Sequence, residues 1–353
     1  MKIVTIIGAR PQFIKAAVVS RSIVQRNDIQ EIIVHTGQHF DPEMSEVFFK
    51  ELMIREPDYF LDINNMTHGA MVGTMMIEIE KILLKECPDI VLVYGDTNST
   101  LAGALTAAKM NIKVAHVEAG LRSFNRKMPE EINRMVTDKI SSLLFCPNEN
   151  AVQNLKNEGI NSTNATIAIS GDVMYDSLLY YQKICKRPNI AIPDHFVLCT
   201  LHREENTNNP ENLLAILSAL EQISLKTSVL FPIHPRTQAV LEQLQYDFAK
   251  TLIHFITPVG YLDMLWLLSH SKMVITDSGG LQKEAYFSQK YCITLRNETE
   301  WTELVESGCN FLIGCHKENL ITKYNELIYK EFNISSSLFY GDGHAGNKIV
   351  ELL

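Results

Sequence analysis

The chain has 353 residues, a formal net charge of −9, and 46% hydrophobic against 21% charged residues. That length predicts about two domains with a core large enough to need neither disulfides nor metal, and the acidic balance argues against nucleic acid or an anionic membrane as partner. No run of about 18 apolar residues is present, so no membrane-spanning helix is expected.

The first stretch, MKIVTIIGARPQF, is too short and too soon interrupted by Arg10 for a signal peptide, and reads as a strand over 3–7. Further apolar, β-branched runs predict strands at 31–35, 90–94, 114–117, 143–146 and 165–169, then at 196–200, 228–233, 252–256, 273–276, 291–295 and 311–313. Segments of helical period, such as 71–85 and 210–222, lie between them. Strand alternating with helix predicts parallel sheets and the α/β class. Six strands, a break near 170–176 or in the Pro-containing segment 186–195, then six more predict two doubly wound domains, with 1–172 and 173–353 as the division. A last helix over about 344–353 can pack on either. The seven cysteines are odd in number and lack a Cys-x-x-Cys pair, which fits reduced thiols in the cytoplasm. Cys309, Cys315 and His316 have no second ligand pair nearby, so no metal site is expected.

In open parallel sheets, ligands bind beyond the carboxyl ends of the strands. In the first half those ends carry Gly8-Ala9-Arg10-Pro11 with Lys15 beyond, His35-Thr36-Gly37-Gln38-His39, Gly95-Asp96-Thr97-Asn98-Ser99 and Glu118-Ala119-Gly120-Leu121-Arg122. In the second they carry His202-Arg203-Glu204, His234-Pro235-Arg236, Asp277-Ser278-Gly279-Gly280 and Arg296-Asn297-Glu298-Thr299-Glu300. Singly, Asp96, Ser278 and Thr299 also read as helix caps. Together the eight ends predict a cleft between two domains, lined from both sides.

Two of these ends suit phosphate. Ser278-Gly279-Gly280 opens a helix whose free N–H groups and partial positive charge attract anions. Gly8-Ala9-Arg10 occupies the equivalent place, with Arg10 and Lys15 adding formal charge. The run Gly8 to Phe13 lacks Gly-x-Gly-x-x-Gly, so NAD and FAD are disfavoured and a diphosphate fits better. Glu284, one turn further on, can take a ribose diol or stand solvated in the first turn. Candidate acids and bases are Asp96, Glu118, Glu130, Glu131, His202 and His234, since grouped carboxylates push their pKa values apart. Pro129 is expected to start a helix that sets Glu130 and Arg134 on one face, either for the site or as an intrahelical ion pair. Arg126 and Lys127 read as a solvated loop.

The stretches GARPQFIKAA, HTGQH, VYGDTNSTLAGALTAA, HVEAGLRS, PEEINR, LHREEN, FPIHPRT, TDSGGLQKEA and LRNETEW together resemble the non-hydrolysing UDP-N-acetylglucosamine 2-epimerase family, in that family's order. The resemblance implies two Rossmann-like domains with a deep cleft, a GT-B-like architecture, in a cytoplasmic homodimer that binds a UDP-2-acetamido sugar and inverts its C2 without a redox cofactor. The implied route is anti elimination of UDP to a 2-acetamidoglucal, then re-addition. By motif, Asp96, Glu118 and Glu130 match the family's catalytic acids and His202 its functional histidine. Arg10, Lys15, Ser278, Gly279, Gly280 and Glu284 match UDP-binding positions, with Arg134 and His234 close to the nucleotide sugar. The implied substrate is UDP-N-acetylglucosamine, with UDP-2,3-diacetamido-2,3-dideoxyglucuronate the alternative.

Three departures favour that alternative branch. Gln38-His39 continues as Phe40-Asp41-Pro42-Glu43-Met44-Ser45-Glu46, unlike the common motif that helps bind a second, activating sugar nucleotide. Arg203 is followed by Glu204 where many relatives have a second arginine. Glu300-Trp301-Thr302-Glu303 stands where Glu-Arg-Pro-Glu is usual.

Overall fold

The computed structural model describes residues 1–38, 52–334 and 339–353. His39 and the stretch to Glu46 lie outside the described residues. The chain divides into two compact units, Met1–Leu179 with Phe339–Leu353, and Tyr180–Leu338.

The first unit is built on seven parallel strands: β1 (Lys2–Ile7), β2 (Gln30–His35), β3 (Tyr59–Phe60), β4 (Ile90–Tyr94), β5 (Lys113–Val117), β6 (Leu143–Cys146) and β7 (Thr166–Ile169). Their order is β3-β2-β1-β4-β5-β6-β7. The second unit has six: β8 (Phe196–Thr200), β9 (Ser228–Pro232), β10 (His254–Ile256), β11 (Val274–Thr276), β12 (Cys292–Thr294) and β13 (Asn310–Leu312), in the order β10-β9-β8-β11-β12-β13. Both sheets therefore wind outward from their first strand, then cross to the other side with their fourth, which is the Rossmann order. The switch points fall between β1 and β4, and between β8 and β11. The α/β class and both doubly wound sheets are as the sequence predicts.

The strands form where they do because both faces are covered. All five residues of β4, Ile-Val-Leu-Val-Tyr, are buried, as expected of a strand sandwiched by helices. Every predicted strand is present within a residue or two. β3 was not predicted, since two residues are too few to show a period. Three helices, Pro129–Ile140, Pro210–Ser224 and Pro235–Gln243, begin on proline, whose fixed φ suits the first helical position and whose missing N–H has no partner to lose there. The predicted segment 71–85 lies inside the helix His68–Glu86. Among the described residues, no helix is long and apolar enough to cross a membrane.

The C-terminal helix, Ala345–Leu352, buries Ile349 and Val350 and packs on the helix Arg10–Val24 of the first unit. Approach is close enough to need Gly346, where a Cβ would stand 2.7 Å from Val18 Cγ1. Ser22 Oγ donates to Asn347 Oδ1 at 2.8 Å, and Gly346 N to Asp176 Oδ2 at 2.9 Å.

Candidate active site

At the first switch point, Arg10 is the opening residue of its helix, and the turn before it is fixed by Gln12. The Gln12 amide oxygen accepts from Gly8 N (2.8 Å) and Ala9 N (3.0 Å), and its nitrogen donates to Tyr94 O (2.9 Å) and Thr100 Oγ1 (3.0 Å). Position 8 admits only glycine, because a Cβ would lie 2.0 Å from Thr36 Oγ1 and 2.2 Å from Ser99 Oγ. Lys15 leaves the same helix and forms an ion pair with Glu118 at the end of β5. Both side chains are largely buried, 12% and 8% exposed. Glu118 has a left-handed backbone, φ +72°, a conformation rare and strained for a residue with a Cβ.

On the neighbouring strand end, Asp96 keeps 30% of its side chain exposed and is gripped from behind. Arg134 donates through Nε (2.9 Å) and Nη2 (2.6 Å) to Asp96 Oδ2, and Asn133 Nδ2 donates to the Asp96 carbonyl at 2.8 Å. Asp96 is not a helix cap. Thr97 takes that place, accepting from Thr100 N. Arg134 Nη1 reaches Glu131, not Glu130, at 2.7 Å, which corrects the Glu130–Arg134 ion pair allowed by spacing alone. Glu131 is buried and also accepts from Ser123 N and Phe124 N. Burial alone would raise its pKa, but these N–H groups and the Arg134 guanidinium hold it below the usual carboxylate range. Glu130, Arg126 and Lys127 are exposed.

His35 closes β2, with its ring between Phe13 and Phe60, each 4.9 Å away, and its Nδ1 accepting from Gly37 N. Burial lowers its pKa from 6.5 to about 4. Between those values the unfolded chain binds a proton that the folded protein refuses, so stability falls as pH drops through this window, by about 1.4 kcal/mol per pH unit. In His35→Gln that part of the slope should disappear, as read by urea unfolding at about pH 5 and about pH 7. An unchanged slope would assign it to other groups.

At the second switch point, Asp277 is fully buried and organises the loop after β8. It accepts from His202 N (3.0 Å), Arg203 N (2.9 Å) and Asn206 Nδ2 (3.0 Å). The His202 and His234 rings lie 5.6 Å apart. Burial lowers both pKa values; for His202, Asp277 opposes it while Arg203 and Arg236 add to it, and for His234, His202 and Arg236 add to it, so both imidazoles favour the neutral form. His234 Nδ1 accepts from Arg236 N at 3.2 Å. Ser278 caps the helix Gly279–Phe287. Gly279 is required where Glu300 Oε1 would be 2.7 Å from a Cβ, and Trp301 Nε1 donates to the Gly279 carbonyl at 2.9 Å. Glu284 is buried one turn on. Thr299 is not the N-cap of the helix Thr302–Glu306, a place that Trp301 takes; its hydroxyl accepts from Trp301 N at 3.2 Å and donates to Gln282 Oε1 at 2.7 Å.

Comparison with known proteins decides the family. A family model described as UDP-N-acetylglucosamine 2-epimerase matches residues 21–353. The UDP-2,3-diacetamido-2,3-dideoxy-D-glucuronate 2-epimerase of Pseudomonas aeruginosa is 52% identical over 355 residues, covering 100% of this chain and 99% of that protein. The UDP-N-acetylglucosamine 2-epimerase of Methanocaldococcus jannaschii is 44% identical over 366 residues, covering 100% and 99%. The chain belongs to the UDP-N-acetylglucosamine 2-epimerase family. Among solved structures, the Methanocaldococcus jannaschii epimerase in complex with UDP-GlcNAc and UDP aligns over 100% of this chain and 99% of its own, with a TM-score of 0.91 and 43% identity. The Neisseria meningitidis epimerase bound to UDP-GlcNAc aligns over 100% and 99%, with a TM-score of 0.88 and 31% identity.

In this member of the family, the first unit brings Lys15, Glu118, Asp96 and Arg134 together at one sheet edge. The second brings His202 and His234 together, and sets Ser278, Gly279, Gly280 and Glu284 on one helix start. Glu131, read from the sequence as a candidate acid, is buried against Arg134, and Gln12 and Asp277 shape these edges although the sequence assigned them no role of their own. Their one signal is a polar residue at a position that the helix or strand phase buries.

Proposed function

We propose that this chain inverts C2 of a UDP-2-acetamido sugar by elimination and re-addition of UDP. The observation that carries the reading is the pair of strand ends in the first sheet, one bearing Glu118 against Lys15 and the next bearing Asp96 against Arg134. A carboxylate held in place by a cation is positioned to exchange a proton with a bound sugar. In the first step a carboxylate removes the C2 proton, the C1–O bond breaks, UDP leaves with the bonding electrons, and a C1=C2 double bond remains. In the second, C2 is reprotonated from the other face and the UDP β-phosphate oxygen returns to C1. No electrons are gained or lost overall, so no redox cofactor is needed.

Asp96, Glu118, Glu130 and His202 are the acids and bases of this reading. Arg10, Lys15, His234, Ser278, Gly279, Gly280 and Glu284 hold the nucleotide, where helix N–H groups suit its phosphates. Arg134 was expected to bind the sugar. Its contacts with Asp96 and Glu131 support a role in aiming Asp96 as well. For the substrate, the 52%-identical relative and the Arg203-Glu204 and Trp301 departures favour UDP-2,3-diacetamido-2,3-dideoxyglucuronate over UDP-N-acetylglucosamine. The same reading makes the protein a cytoplasmic homodimer.

Incubation with a panel of UDP-2-acetamido sugars in deuterium oxide tests the proposal. Deuterium should enter C2 while UDP-sugar is conserved, fastest with the diacetamido uronate. No exchange on any of them would sink it. Stoichiometric release of UDP and free sugar would instead make the enzyme a hydrolysing epimerase.

A further inference from the structure

Asp138 is 1% exposed, in the last turns of the helix Pro129–Ile140. A carboxylate there is unfavourable twice over, as a poor residue for a helix interior and as a buried charge. Three donor groups surround it: His116 Nδ1 at 2.7 Å from Oδ1, Arg122 Nη1 at 2.7 Å from Oδ2, and Gly120 N at 3.1 Å from Oδ2. Apolar residues of similar volume often replace such a buried cluster with no loss of stability. Stability alone therefore does not account for it.

What the cluster does is tie two turns together. His116 Nε2 donates to the carbonyl of Gly95, the residue before Asp96, at 2.7 Å. Gly120, which donates to Asp138, stands two residues after Glu118. The strained backbone of Glu118 persists only where its surroundings over-determine it. Here Glu118 N and Ala119 N both donate to Phe145 O, and Asn154 Nδ2 donates to Gly120 O at 3.0 Å.

We propose that Asp138, acting through His116 and the Gly120 amide, is a positioning residue that sets the Asp96 turn and the Glu118 turn at the spacing the sugar chemistry needs. The inference rests on the epimerase reading above. Asp138→Leu removes all three contacts. Its kcat, counted per UDP-binding site by calorimetric titration, should fall about 10–100-fold, the range seen when groups behind a reactive ligand are lost, with KM changed less than about threefold. A purely structural role would lower the number of binding sites and leave kcat per site unchanged. Asp138→Asn, whose amide can meet the ring, the Gly120 amide and Arg122 in the same places, should restore most of the rate. If Asp138→Leu does not fold, His116→Leu decides, because it leaves the Arg122–Asp138 pair in place. It should lose about tenfold in kcat per site. Unchanged kcat per site in the leucine variants, or an Asp138→Asn variant as slow as Asp138→Leu, would overturn the proposal. Absence of C2 exchange in the unsubstituted enzyme on every sugar would instead sink the epimerase reading, and this inference with it.

Discussion

Glu118→Gln is expected to lower turnover by a factor of about 10²–10⁴, the usual contribution of a positioned general acid or base, while UDP still binds. The substitution is nearly isosteric. The amide oxygen can still accept from Lys15, and the left-handed turn that carries the residue is held by backbone hydrogen bonds that the change leaves alone. What disappears is the ability to hold a proton. The nucleotide-binding residues proposed in the second unit, Ser278 to Gly280 and Glu284, lie on a different sheet, so affinity for UDP should change little. The measurement is C2 proton exchange by NMR together with UDP titration. Full activity with intact UDP binding would remove Glu118 from the chemistry and leave Asp96 as the acid to test next.

Arg122→Ala should unfold the first unit at a markedly lower temperature. The Arg122 guanidinium is nearly inaccessible and joins two carboxylates, Asp138 through Nη1 at 2.7 Å and Glu158 through Nε at 2.7 Å and Nη2 at 2.8 Å. Burial alone would raise the Asp138 pKa, yet His116 and Arg122 hold it low, so the carboxylate stays charged. Taking away one partner of a buried pair costs about 3–5 kcal/mol, because the remaining charge is stranded. For a unit of this size each kcal/mol moves Tm by roughly 2–4 °C, giving a drop on the order of 6–20 °C in calorimetry. Lys250→Ala, which breaks the exposed Lys250–Asp247 pair, should change stability by less than about 1 kcal/mol. Equal effects from the two would mean that water reaches Asp138.

The contrast bears on what a sequence discloses. Strands were legible because parallel strands covered on both faces are short apolar runs, and the site's edges because polar residues follow those runs directly. Partner choice was not. Spacing put Glu130 and Arg134 on one face, but one residue along a helix is a turn of about 100°, and it is Glu131 that faces inward to Arg134. Asp96 and Thr97 show the same limit, since either could cap the helix Asn98–Lys109 and only the local backbone gives Thr97 the role. Asp138 draws no reading at all, because nothing within a few residues of it announces His116 or Arg122 as its neighbours.

The return of residues 339–353 to the first unit also bears on how the molecule is made. Translation runs from the N-terminus, so the second unit is fully synthesised before the piece that completes the first. Until residues 345–352 have left the ribosome, the face of the helix Arg10–Val24 on which they pack lacks that helix. The later-made unit is thus free to mature earlier, and loss of residues 345–352 would injure the half of the protein that was translated first.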